Sequence, residues 1–316
     1  MDPGQDGALE TSTLVDRHAT DWSRVSHAVY QVRHHYRYSY TGPVTDLRQR
    51  LVMIPPDRHE DQRLLASHLD VRGDRGDHTI AWENDHFGNQ ICHVQASHVD
   101  HAVDFEATYR VERSAKPGGR PGAAGLDGAA LGEYLQATAL TAPDAQLRAV
   151  AHRLEADATS PRVAAERVHD WAAGAISYQL GVTGVQTPAA MALHLGKGVC
   201  QDYAHIMLCL LRLLRVPARY VSGHLLGEGA PHAWVEALVE EPDVGIEVIP
   251  YDPTHHRQVG LNYITVAVGR DYADITPTSG FFSGPAAGRL SSSKQADVVE
   301  LSCAGPTGGG TREDAA

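Results

Sequence analysis

The sequence predicts an α+β protein: an N-terminal antiparallel β-sandwich, then a helical part followed by an antiparallel sheet. Three observations carry this. Residues 25–115 hold strand-like runs broken by turn signals, with no helical stripe. The Gly/Pro-rich stretch SAKPGGRPGAAG, 114–125, interrupts them. Beyond it, apolar spacing is helical up to Pro217 and strand-like afterwards, the order of an α+β unit.

In chain order, residues 1–24 are polar and aperiodic and read as a disordered tail. VYQVRHHYRYSY opens the sandwich, because branched and aromatic residues alternate with polar ones. LRQRLVMIP, LLASHLDVRG, HTIAWEN, NQICHVQASHV and AVDFEATYRVER continue it, separated by TGP, RGDRGD and DHFGN. DHFGN, 85–89, reads as a structural turn, and His98 and His101 bracket another expected turn. Residues 116–125 are the linker, 126–302 the second unit and 303–316 a polar tail. In the second unit, Asp144 and then Ser160 with Pro161 are helix-start signals. TPAAMALHLGKG is a short helix stopped by glycine, and CQDYAHIMLCLLRLLRV a strongly apolar one closed by Pro217. ARYVSGHLL, HAWVEALVE, IEVIPYD, YITVAVG and ADVVELS are the expected strands.

Bulk properties exclude several functions. A net charge of -12 without basic clusters disfavours nucleic acid and anionic membrane as partners. The N-terminus has no basic start followed by an apolar core, and no apolar run nears the roughly 20 residues of a membrane helix. A cytoplasmic location is the expectation. Cys92, Cys200, Cys209 and Cys303 form no C-x-x-C pair, so neither a disulfide framework nor a zinc ribbon is indicated. The 19 histidines show no convergent ligand spacing, and His255 and His256, adjacent in the chain, point opposite ways if extended. No metal and no cofactor is expected, and the sequence is silent on oligomeric state.

The chemistry concentrates at GKGVCQDYAH. Cys200 begins the apolar helix, beside unpaired backbone N–H groups and the positive end of the helix dipole. Such a position favours thiolate over thiol. Gly196 and Gly198 allow a tight bend before it. A thiolate needs a base, and the base an orienting group. PHAWVEALVEEPDVGIEVIPYDPT reads as a hairpin. With its turn centred on Pro242, His232 faces Asp252, which can accept one imidazole N–H and aim the other nitrogen at sulfur. A slip of one residue would put the two side chains on opposite faces.

GVCQDYAH, ARYVSGH, HAWVE and YDPT, in this order, resemble the transglutaminase-like core of bacterial proteins. RDYADITPTSGFFSG resembles that family's closing segment, and the N-terminal β-region with DHFGN the sandwich domain that commonly precedes the core. The similarity covers roughly residues 26–302. It implies a papain-like fold, with Cys200 as nucleophile, His232 as base and then acid, and Asp252 as orienter. It also implies acyl transfer on a peptide or protein amide through a thioester, without a cofactor. Three departures stand out: the return strand lacks an early tryptophan, the hairpin loop is a few residues longer, and His255 follows Asp-Pro-Thr where the family often has asparagine.

Three further residues are candidates for the substrate cleft: Gln201 beside the nucleophile, Trp234 on the strand face of His232, and Tyr178. Asp202, in the first helical turn, is expected to stabilise the helix. Hydrolysis of peptide or isopeptide bonds is favoured over transamidation, since water suffices for it whereas cross-linking must exclude water. The alternative of another class is a catalytically idle scaffold module.

Overall fold

The structure, a computed structural model, describes residues 20–74, 78–115, 126–241 and 245–303. The expected linker and most of both expected tails lie outside these residues. At the start, Asp21 caps the 3-10 turn Trp22–Arg24, and the Trp22 ring stacks near Tyr30.

The N-terminal strands are β1 (Val25–Tyr40), β2 (Val44–Leu51), β3 (Arg58–His59), β4 (Gln62–Asp74), β5 (His78–Asn84) and β6 (Gln90–Ser114). β6 is one strand of 25 residues, and no turn falls at His98–His101. The first part of β6 pairs with β2 and β5, and the second with β1 and β4. The chain changes pairing partners there without reversing, which local composition does not signal. The two expected layers are therefore halves of one continuous sheet. Leu47, Leu51 and Val94 from one half meet Tyr30, Val32 and Phe105 from the other in a single apolar core.

The second unit contains α1 (Gly128–Tyr134), α2 (Ala145–Glu155) and α3 (Pro161–Ala173), followed by β7 (Ser177–Tyr178), α4 (Ala189–Leu195), β8 (Lys197–Gly198) and α5 (Cys200–Leu213). The caps fall where the sequence places them: Asp144 accepts from Leu147 N–H, and Ser160 from Val163 N–H with Pro161 in the first turn. Then come β9 (Ala218–Leu225), β10 (His232–Glu241), β11 (Gly245–Asp252), β12 (Arg257–Gln258) and β13 (Tyr263–Gly269). They form a sheet in the order β12-β11-β10-β9-β13. Helix α5 packs on β9 and β10, and every residue from Gln201 to Arg212 is buried. Arg212 is accommodated by donating to four oxygens: Tyr134 O, Thr141 Oγ1, Ala218 O and Arg270 O. No helix among the described residues is long and apolar enough to cross a membrane.

The last strands, β14 (Thr278–Ser283) and β15 (Gly288–Cys303), leave the second unit. β14 pairs with β2, and β15 runs along β1 from Val25 to Tyr40. A division of the chain at residue 115 thus assigns to the second unit two strands that pair in the first sheet. Periodicity reports which face a strand buries and is blind to its neighbour.

The two sheets are joined by side chains acting as backbone. β13 ends its sheet, so one row of its amides and carbonyls needs partners. Asn89 donates to Val268 O and accepts from Val268 N, at 2.7 and 2.8 Å. Gln62 treats Thr265 in the same way. Arg113 donates to the carbonyls of Gly260 and Tyr263. The DHFGN turn is therefore a clip, with Asp85 accepting from Phe87 N, Asn89 N and Asn89 Nδ2. A buried ion network adds to this. Arg219 on β9 bonds Glu236 on β10 and Glu60 of the first unit, and His59 meets the other Glu236 oxygen. Burial opposes the Glu236 charge, but Arg219 and His59 hold its carboxyl down to about 2.

Asn89→Ala leaves both Val268 groups unpaired in a buried place. It is expected to lower the unfolding free energy by about 2–4 kcal/mol, measured by urea denaturation. A loss under about 0.5 kcal/mol would show that the clip is dispensable.

Candidate functional site

Three element ends meet at the site. Cys200 is the first residue of α5, His232 the first of β10 and Asp252 the last of β11.

The approach to Cys200 is shaped by two glycines. Gly196 ends α4 with φ +64, a left-handed conformation that glycine adopts freely. At Gly198 a Cβ would stand 2.6 Å from Asp202 Oδ2, so any side chain would collide. Asp202 uses that oxygen to accept from Val199 N–H at 2.7 Å and from the Thr183 hydroxyl at 2.6 Å. It ties down the start of the helix, which is the structural role read from its position. Burial pushes its carboxyl up. β7 and β8 pair in parallel, setting Tyr178 level with Gly198.

The hairpin register differs from the predicted one. Val235 faces Tyr251 and Glu241 faces Gly245, an offset of two residues from a turn centred on Pro242. Pro242 itself lies outside the described residues. Asp252 comes level with Trp234, and His232 is a diagonal neighbour. A shift of two preserves the strand face, so the expected contact survives. His232 Nε2 lies 2.8 Å from Asp252 Oδ2, with both side chains buried. That leaves Nδ1 unbound by Asp252, and the neighbouring Cys200 also favours the charged ring. Burial opposes a charged imidazole, but bonds to Asp252 and Cys200 outweigh it and raise His232 to about 10.

Asp252 is anchored more heavily than the sequence suggested. Oδ1 accepts from Thr254 N and His255 N. Oδ2 accepts from His232, from His255 Nδ1 at 2.8 Å and from the Tyr263 hydroxyl at 2.6 Å. Burial would raise this carboxyl, yet these donors hold it well below the usual range. Arg257 donates to Tyr263 Oη. His255 Nε2 meets Glu228 Oε1 at 3.1 Å, and Glu228 Oε2 is 3.5 Å from His232 Nδ1. Bonds to Asp252 and Glu228 raise His255 to about 9, against a smaller effect of burial.

The cleft candidates divide. Tyr178 is over half exposed and level with Gly198, two residues before Cys200, and burial raises its hydroxyl. Gln201 is buried and donates to Val185 O, pinning a neighbouring loop. Trp234 is buried behind His232 and lies edge-on to Tyr263 at 5.4 Å, a packed wall with no cleft surface. Sequence reasoning missed Tyr263, Glu228 and Arg257. Its one signal here was His255, noticed as a departure after Asp-Pro-Thr. His255 and His256 lie in a turn, His256 with φ +50, and enter separate clusters.

Residues 148–253 match the sequence profile of the transglutaminase-like superfamily, and residues 30–112 that of the bacterial transglutaminase-like N-terminal region. The chain belongs to the transglutaminase-like superfamily. An uncharacterized protein of Mycobacterium leprae is 40% identical over 162 residues. That match spans 48% of this chain and 56% of the relative's length. An uncharacterized protein of Mycobacterium tuberculosis is 28% identical over 279 residues, 79% of this chain and 86% of the other. The transglutaminase-like fold is shared with the crystal structure of a candidate cysteine protease from Cytophaga hutchinsonii. The TM-score is 0.68 at 22% identity, over 86% of this chain and 92% of that one.

The pH dependence of the site follows from His255. Its ring is charged in the folded state up to about 9, against an ordinary value of 6.5. Its stabilising contribution is therefore complete below pH 6.5 and disappears as pH rises through about 9. Relative to wild type, His255→Asn is expected to be most destabilised at acidic pH and to converge with it at alkaline pH, measured by denaturation across pH. A deficit independent of pH would contradict the assigned ion pairs.

Proposed function

We propose that the protein is a cysteine-dependent acyltransferase acting on amide bonds, with water as the usual acceptor. The observation that carries this reading is His232 bonded at Nε2 to buried Asp252 and held in its charged form by Asp252 and Cys200. A charged imidazole between a sulfur and a carboxylate is the resting arrangement that nucleophilic thiol chemistry requires.

Cys200 attacks the carbonyl carbon of a carboxamide or peptide bond, and the carbonyl π electrons move to oxygen. The oxyanion is met by the Cys200 backbone N–H, which has no acceptor within its own helix, and by one further donor. His232 gives its Nδ1 proton to the leaving nitrogen as the C–N bond breaks, and a thioester remains. The neutral ring then takes a proton from water as the water oxygen attacks the thioester. The carboxylic acid leaves, and Cys200 is restored with its proton shared with His232. Asp252 keeps the ring in one tautomer throughout, and its five donors keep Asp252 from turning. Tyr178, exposed and level with Gly198, is the side chain we assign to substrate contact.

Incubation with a library of glutamine-containing and peptide amides, followed by mass spectrometry, is expected to trap an acyl group on Cys200. Cys200→Ala should show none. Asp252→Ala should lower turnover by roughly three orders of magnitude. Product acid in the presence of excess primary amine supports hydrolysis, whereas amine-linked product would assign transamidation instead. An acylated Cys200→Ala variant, or turnover unchanged by it, would defeat the proposal.

A further inference from the structure

Glu228 and His255 have no step in the chemistry above. With His232 they form a group whose ligand atoms, one from each residue, all lie within 4.8 Å of one another. His255 Nε2 and His232 Nδ1 both turn toward the Glu228 carboxylate, at 3.1 and 3.5 Å. The opposite nitrogen of each ring is held by the same atom, Asp252 Oδ2, at 2.8 Å in both cases. A carboxylate behind each imidazole, fixing its tautomer and aiming its free nitrogen, is the outer support that histidine ligands of transition metals ordinarily have. Here one buried carboxylate supports both rings. Two imidazoles and a carboxylate suit zinc better than magnesium or calcium, which prefer sets made of oxygen alone. Glu228 and His255 are each about one-third exposed, which gives an ion a way in, while His232 is buried.

We propose that Glu228, His232 and His255 form a zinc site which, when filled, silences Cys200. The ion bonds His232 Nδ1, His255 Nε2 and a Glu228 oxygen, leaving a fourth position toward the cleft. It replaces one proton on each ring, released to solvent, and both rings remain bound to Asp252 through their other N–H. His232 Nδ1 is the nitrogen that serves the sulfur, so an ion there takes the base away from the thiol. Zinc binding rests on geometry alone, whereas its effect on turnover rests on the proposed role of Cys200.

A second group, His169, Asp170 and His256, provides an internal control. Asp170 and His256 are exposed, and His169 Nε2 already bonds Asp252 O.

The test is a titration of metal-free, full-length protein with Zn2+ against a chromophoric chelator. Wild type is expected to bind one zinc tightly. His255→Asn and Glu228→Gln should each weaken binding roughly tenfold or more, and His256→Asn should leave it unchanged. Zinc should also slow alkylation of Cys200 in wild type, and fail to do so at the same concentration in Glu228→Gln, whose altered residue is in a partly exposed loop. Wild-type affinity no greater than that of the Glu228→Gln/His255→Asn double variant would overturn the proposal. So would binding lost in His256→Asn and retained in His255→Asn. The titration reads binding alone, so its result is independent of whether Cys200 acts on amides.

Discussion

Asp252 sits with no exposed side-chain surface, and both its oxygens are filled by donors from its own turn, from His232 and His255, and from Tyr263 on another strand. A buried carboxylate is costly unless it is charged and fully bonded, and this one satisfies that condition by holding two imidazoles. The orientation of His232 and its charge follow from that arrangement. The same anchoring fixes His255, which in turn holds Glu228.

The fold supplies the anchor by bringing three chain ends to one point. α5 is buried along nearly its whole length, so the position of Cys200 is set by core packing. The β10–β11 hairpin sets His232 and Asp252 on one strand face. β13 carries Tyr263, and its outer edge is completed by Asn89, Gln62 and Arg113 from the first sheet. The N-terminal unit thereby acts on the site through β13, without contributing a reactive group. Its sheet is closed in turn by β14 and β15, from the other end of the chain.

Cys200, His232 and Asp252 could be named from the sequence because each stands at a boundary with its own signal. Cys200 lies between a glycine turn and an apolar run, and the other two end alternating strands. The His232–Asp252 contact survived a register error because the error was two residues, the period of a strand. Tyr263 and Glu228 gave no such signal: each enters the site from a separate segment, and only three-dimensional closure brings it there. The unbroken course of β6 and the pairing of β15 with β1 were hidden for a related reason, since alternation encodes burial and leaves partners open. The side chains of Gln201 and Trp234 are turned into the protein, Gln201 bonding Val185 O and Trp234 packing on Tyr263.

The proposed chemistry depends on Asp252 holding His232 in place to serve Cys200. The most direct measurement is the rate at which iodoacetamide alkylates Cys200 at neutral pH, relative to exposed Cys303, in wild type and in Asp252→Ala. Cys200 is expected to react much faster than Cys303 in wild type and to lose that advantage in the variant. Equal rates in the wild-type protein, or an advantage untouched by removing the carboxylate, would contradict this.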